Sequence, residues 1–320
     1  MIHLHFNLQL VQFFVDHRIV SLTRLFVFAS FFGSAAFYIL LTSFLFVAWD
    51  KRQAIRISVL ILLTILINDV LKIFIKNPRP FIEQGTYRQK WAVSPRDATI
   101  LATEYSTPSG HAMGSSAFYF YLFTLVRNRF VRVILVVAVV LIGASRPYLG
   151  VHYVEDVLLG WLVGLVLAGG AIRYIAQLAE IWETVPYGLQ IVIALAASFA
   201  VWLLALALDG RINDQVRELT AYSGLLTGIV VGFPLELRIT NFDPHSGGAM
   251  AKILRYAISL GVMAFVLFAL KLAWRPFAAS ETAFGCALEY VRYVAAESAA
   301  IFVAPLIFCK LKLADLGSRA

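Results

Sequence analysis

Charge is scarce in this chain. Only 14% of its 320 residues are Asp, Glu, Lys or Arg, and 60% are hydrophobic; a soluble domain carries roughly a quarter charged residues. With a mean hydropathy of +0.80, a water-soluble globule is excluded and a polytopic membrane protein is expected. Cysteine is nearly absent too. Cys286 and Cys309 lie late, in apolar surroundings, which excludes a disulfide scaffold and reads as two buried thiols. There are six histidines. His3, His5, His17 and His245 stand apart from the polar motifs, and no tight His/Asp/Glu cluster with metal-ligand spacing occurs elsewhere. Basic residues exceed acidic ones, for a net charge of +8. They divide between polar motifs and short loops joining apolar runs, so the excess reads as topology determinants and nucleic acid is excluded.

What is present is a series of apolar runs. Residues Met1 to Ile19 alternate apolar and polar positions and read as a short interfacial helix of the mature protein. Spans are expected at Leu25–Trp49, Ile55–Ile75, Ser109–Val126, Val133–Ser145 and Tyr153–Ile172. The fourth is too short to cross alone, so Ser145 and Arg146 are expected to be recessed. Arg173 to Tyr187 reads as a surface connection. Four more spans follow at Gly188–Leu208, Leu219–Glu236, Ile253–Trp274 and Tyr290–Phe308. Gly224, Gly228 and Gly232 give the seventh a smooth face, read as tight internal packing rather than a dimer contact. Glu236 and Arg238 read as a helix-end pair. The expected fold is all-α: a polytopic membrane helical bundle of about nine transmembrane helices. Residues 1–187 are expected to form a five- to six-helix core with the N-terminal interfacial segment, and 188–320 a C-terminal transmembrane extension.

Polar chemistry concentrates in three places. Ser145-Arg146-Pro147-Tyr148-Leu149-Gly150-Val151-His152 leads to Asp156, four residues beyond His152. That spacing puts the imidazole and the carboxylate on one helix face. Alone, the stretch reads as a helix start with a satisfied His–Asp pair. Lys72 is followed at six residues' remove by Arg79-Pro80, and a third segment reads Pro108-Ser109-Gly110-His111. Asp69 sits one helical turn before Lys72 and is a candidate partner for it; solvation at a helix end is the other reading. The connection from Asn77 to Thr107 carries Glu83, Arg88, Lys90, Arg96, Asp97 and Glu104 with Tyr87 and Trp91. It reads as a lid or substrate-facing loop whose aromatics contact or anchor at a lipid interface.

In this order, K-x6-RP, PSGH and SR-x5-H-x3-D, the three segments resemble the signature of the type-2 phosphatidic acid phosphatase and vanadium haloperoxidase superfamily, and its integral-membrane lipid phosphatase branch in particular. Every fixed position is filled, between Lys72 and Asp156. The resemblance implies that His152 attacks phosphorus to form a phosphohistidine, with Asp156 orienting it. It implies that His111 protonates the leaving group and then activates water, and that Lys72, Arg79, Ser109, Gly110 and Arg146 bind the phosphate. No metal and no other cofactor is implied.

The expected activity is hydrolysis of a lipid phosphate or lipid pyrophosphate. A glucose-6-phosphatase-like sugar-phosphate phosphatase and a non-catalytic headgroup binder or transporter are the alternatives. The expected partners are the lipid substrate and membrane lipids, with a homodimer left open. Counting basic loops places Lys51, Arg52, Arg56, Arg127, Arg129, Arg132, Arg173, Arg238, Lys252, Arg255, Lys310 and Lys312 on one side. By the positive-inside rule that side is cytoplasmic, with the C-terminus. The motifs then face the periplasm, lumen or exterior.

Overall fold

A computed structural model describes residues 6–82, 85–276 and 282–316. His3, His5 and Glu83, and the side chains of Tyr87 and Arg88, lie outside the described residues. The chain is an all-α polytopic membrane bundle. Among the described residues there is no strand, only an isolated bridge between Phe242 and Leu316.

In chain order the helices are α1 (Leu8–Asp16), α2 (Val20–Phe31), α3 (Ala35–Ala48), α4 (Lys51–Ile75), α5 (Tyr87–Lys90), α6 (Pro95–Leu101) and α7 (Gly110–Leu125). Then come α8 (Arg129–Tyr148), α9 (Val154–Thr184), α10 (Tyr187–Asp209), α11 (Asp214–Ile239), α12 (Ala249–Trp274) and α13 (Ala283–Ser298). A π-helical turn, Ala299–Val303, joins α13 to α14 (Ala304–Lys310). Among the described residues seven stretches are long and apolar enough to cross a membrane: α4, α8, α9, α10, α11, α12 and the run Ala283–Lys310; α2 and α3 make an eighth if the bent pair is one span.

Four expected boundaries are corrected. The run Leu25–Trp49 is not one helix: α2 and α3 meet at a 51° bend, where Phe32, Gly33 and Ser34 interrupt the helical hydrogen bonding. The fourth span is not short, because α8 continues through Pro147 to Tyr148. A proline in a last turn removes one backbone donor without ending the helix. The segment after Ile172 is helix rather than a surface connection, as α9 runs to Thr184. The last helix starts before Tyr290, since α13 begins at Ala283 and carries Glu289 and Arg292 inside it, paired at 2.9 Å.

The chain divides into two compact units. The first comprises Met1–Tyr38 and Leu63–Ala176. Its centre is α7, with Ala112, Met113, Ser115, Ser116, Ala117 and Phe118 all buried. At about 1.5 Å per residue its 16 residues span about 24 Å. Gly164 of α9 lies against it so closely that a Cβ there would sit 2.3 Å from the Met113 carbonyl oxygen. A second cluster joins Val11 and Val15 of α1 to Phe81, Trp91, Tyr148, Leu149 and Val151. Trp91, expected at a lipid interface, is instead 4% exposed, with its indole N–H on the Pro80 carbonyl at 3.1 Å. The Asn77–Thr107 connection is therefore a packed cap. Ala92 N–H bonds Leu149 O at 2.9 Å and Ser106 N–H bonds Asn77 O at 2.8 Å.

The second unit comprises Ile39–Leu62 and Gln177–Ala320. Here α11 is central, capped by Asn213. A Cβ on Gly228 would lie 2.6 Å from that of Glu297 on α13. Glu236 does not pair with Arg238, since residues two apart on a helix point to different faces. It binds Lys51 instead, at 3.0 and 3.1 Å. Cys286 and Cys309 are free thiols.

Candidate active site

All eight residues singled out in the sequence belong to the first unit. Lys72 comes from the last turn of α4, and Arg79 from the segment that follows it. Ser109 is the N-cap of α7, with Gly110 and His111 in its first turn. Arg146 lies in the last turn of α8. His152 sits in the short turn before α9, and Asp156 in the first turn of α9. That turn reverses the chain through Gly150, at φ +79°, where a Cβ would meet the Arg18 guanidinium at 2.8 Å. Only glycine adopts this backbone without strain.

His152 and Asp156 are buried. Nδ1 of the imidazole is 3.3 Å from Asp156 Oδ2 and 3.3 Å from Ser106 Oγ. Its Nε2 is 3.0 Å from Arg79 Nη1. A guanidinium only donates, so Nε2 is the acceptor and the proton sits on Nδ1, facing the carboxylate. Asp156 is itself fixed by the Ser106 hydroxyl, by Thr107 Oγ1 at 2.5 Å and by Tyr153 N–H at 2.9 Å. Burial, and then the charges of Arg79, Arg146 and Lys72, push the His152 imidazole well below its ordinary value. It is neutral at neutral pH.

Arg79 is 2% exposed and also donates to Val151 O at 3.0 Å. Glu104 joins two of the cations, accepting from Arg79 Nη2 at 2.6 Å and from Lys72 Nζ at 3.4 Å. Burial raises its carboxyl pKa, but Lys72 and Arg79 outweigh burial and hold it at about 2. Arg146 donates to Ser30 Oγ of α2 at 2.6 Å. His111 lies within electrostatic reach of Arg146, His152, Lys72 and Arg79. Gly33, at the bend between α2 and α3, packs on its ring, where a Cβ would be 3.2 Å from Cδ2. Asn68 braces the PSGH turn through the Pro108 carbonyl at 3.2 Å. Ser109 Oγ, Arg79 Nε and Arg146 Nε are buried without a hydrogen-bond partner among the described residues. An unmet buried donor costs about 1–3 kcal/mol, and here three are gathered on motif residues.

Five contributors escaped the sequence reading of the site: Glu104 as the partner of two cations, Ser106, Thr107, Ser30 and Gly33. Glu104, Ser106 and Thr107 directly precede PSGH, and that adjacency was the only signal available. Ser30 and Gly33 lie far off in sequence, in an apolar stretch with no motif.

Residues 53–180 match the PAP2 superfamily, and residues 220–316 match the PAP2 superfamily phosphatase transmembrane extension. The chain belongs to the PAP2 superfamily, and by the second match to its transmembrane phosphatases. It is 29% identical over 160 residues to an undecaprenyl-diphosphatase of Sulfolobus acidocaldarius, covering 50% of this chain and 73% of that one. It is 34% identical over 149 residues to sphingosine-1-phosphate phosphatase 2 of Mus musculus, covering 45% of this chain and 40% of that one. A solved structure, a transmembrane PAP2-type phosphatidylglycerolphosphate phosphatase from Bacillus subtilis, aligns with a TM-score of 0.44 at 25% identity, over 53% of this chain and 84% of that one.

Proposed function

We propose that this protein hydrolyses a lipid phosphate or lipid pyrophosphate at the non-cytoplasmic membrane face, through a phosphohistidine and without a metal. The observation that carries the reading is the orientation of His152. Its protonated Nδ1 is held toward Asp156, and its Nε2 lone pair points toward Arg79. A neutral imidazole with one nitrogen anchored and the other unprotonated is an in-line nucleophile.

In the first step Nε2 bonds to phosphorus as the bond from phosphorus to the lipid oxygen breaks. His111 gives its proton to that leaving oxygen. In the second, water attacks the phosphohistidine with His111 taking a proton from it, and the N–P bond breaks to release phosphate. Asp156 holds the ring and offsets the positive charge it acquires. Lys72, Arg79 and Arg146 stabilise the equatorial oxygens, with the Ser109 hydroxyl and the Gly110 N–H at the start of α7. The three unmet donors on Ser109, Arg79 and Arg146 support this role, since nonbridging phosphate oxygens would satisfy them.

The lipid class rests on the site's place at the ends of membrane-length helices and on the named substrates of the relatives. The facing rests on the distribution of basic loops.

The test is phosphate release by the purified, detergent-solubilised protein in EDTA, across polyprenyl pyrophosphate, phosphatidic acid, phosphatidylglycerol phosphate, a sphingoid-base phosphate and glucose 6-phosphate. His152→Ala is run alongside. The expected result is release from one or more lipids that falls by about a thousandfold or more in the variant. Release retained in a correctly folded His152→Ala protein would overturn the mechanism, and a preference for glucose 6-phosphate would overturn the substrate class.

A further inference from the structure

The second unit contains a half-buried carboxylate that plays no part in the chemistry above. Glu297 lies near the middle of the run Ala283–Lys310, one of the stretches able to cross a membrane. Among the described residues it has neither an ion-pair partner nor a hydrogen bond. It faces a small cavity also lined by Thr42 and Ser43 of α3, Ser58 of α4 and Ser259 of α12. An ionisable group at membrane depth is costly unless it binds something. A second observation points the same way. Ser259 is 2% exposed, and its hydroxyl has no partner among the described residues. The Ser58 hydroxyl donates to Ala54 O at 2.9 Å. Spending its proton on a carbonyl leaves the lone pairs of the Ser58 oxygen available to a positive charge. Ala300 of the π-helical turn lines the same space. A π turn departs from the i→i+4 pattern and is common at functional sites.

We propose that this cavity binds a monovalent metal cation, with Glu297 supplying the charge and Ser259, Ser58 and Ser43 supplying neutral oxygens. Hard oxygen ligands suit alkali and alkaline-earth ions. One carboxylate balances one positive charge and would leave a divalent ion uncompensated. The room available, about 30 Å³, admits one or two water-sized spheres. That is enough for a dehydrated cation or one with a single water, and too little for a headgroup. Because the site lies in the second unit rather than among the motif residues, its occupancy is expected to stabilise the fold without entering the reaction.

The test is thermal unfolding of the full-length protein in detergent, in sodium, potassium or N-methylglucamine chloride at constant ionic strength. The wild type is expected to show a saturable rise of roughly 5 °C in one alkali salt over the organic cation, as for any ligand bound only by the native state. Glu297→Gln is expected to lose the rise, and Ser259→Ala to shift its midpoint about tenfold toward higher salt. Identical curves in all three salts for the wild type would overturn the proposal, as would an undiminished rise in Glu297→Gln. If Glu297→Gln does not fold, Ser259→Ala and Ser58→Ala carry the test, and midpoints unchanged in both would overturn it.

Discussion

Each unit buries a cluster of charge, and the two clusters are built to opposite specifications. In the second unit one cation meets one anion. Lys51 Nζ reaches both oxygens of Glu236, Asn241 Oδ1 at 2.8 Å and Phe242 O at 3.0 Å. Glu236 accepts further from Phe242 N–H at 2.9 Å. Charge is balanced and the ammonium's donors are spent, so this cluster locks the turn after α11. In the first unit Lys72 and Arg79 share Glu104, the site's other carboxylate, Asp156, is taken up by Ser106, Thr107 and Tyr153 N–H, and three donors on Ser109, Arg79 and Arg146 have no partner among the described residues. Burial of uncompensated positive charge is tolerable only where an anionic ligand completes the set. A buried ion pair therefore says little until its hydrogen bonds are counted; saturation marks architecture, and a surplus of donors marks a site.

The sharpest way to break this contrast is to delete one cation from each cluster. Arg79→Ala is expected to cut turnover by about a thousandfold while the melting temperature changes little, because the surplus of positive charge falls. Lys51→Ala is expected to do the reverse. It strands a buried carboxylate at a cost of about 3–5 kcal/mol, lowering the melting temperature, while whatever folds keeps a normal kcat. Thermal unfolding and phosphate release on both variants read the two effects. Loss of activity without loss of stability in Lys51→Ala would erase the distinction.

Asp156→Asn is the next largest effect. It removes the negative charge that favours the Nδ1–H tautomer of His152, and a loss of kcat of about 10²–10⁴ is expected with KM little changed. A smaller effect lies in the pH profile. Because His152 is held below its ordinary value, the acid limb of turnover is expected below pH 6.5, the point at which a free imidazole protonates. Among the charges acting on His152, that of Glu104 opposes this shift. Glu104→Gln removes it, so the acid limb should move further toward low pH; a move upward would show that Glu104 governs the profile by another route. The smallest expected change is in Ser30→Ala, which removes the hydroxyl that holds Arg146. A rise in KM of about two- to tenfold is expected, in line with a hydrogen bond to a charged group at a partly exposed site.

Much of the first unit was legible before the structure. Lys72, Arg79, Ser109, Gly110, His111, Arg146, His152 and Asp156 sit in short segments whose internal spacing encodes local geometry. A helix N-cap, a helical last turn and an i,i+4 pair need no tertiary information. Glu104, Ser106 and Thr107 were harder, because an irregular connection has no period from which to predict a side chain's direction. Trp91 was misjudged for a related reason. An aromatic in a polar loop beside a membrane suits a lipid interface and a buried cluster equally, and only packing against Leu149 and Tyr148 decides between them. The α2–α3 bend was hidden because a hydropathy run is indifferent to Gly33, whereas contact with the His111 ring is not.

What the sequence alone determined is the membrane class, the helical bundle and the family to which the motifs belong. These follow from apolar runs and from local spacing, which are properties of the chain itself. Tertiary structure decided which donors are satisfied and which are left over, that Glu104 bridges Lys72 and Arg79, and that Glu236 meets Lys51 rather than Arg238. Those outcomes depend on groups far apart in sequence meeting at hydrogen-bond distance. Only the packed chain specifies such meetings, since no one-dimensional pattern carries the distance between residues 30 and 146 or between residues 51 and 236.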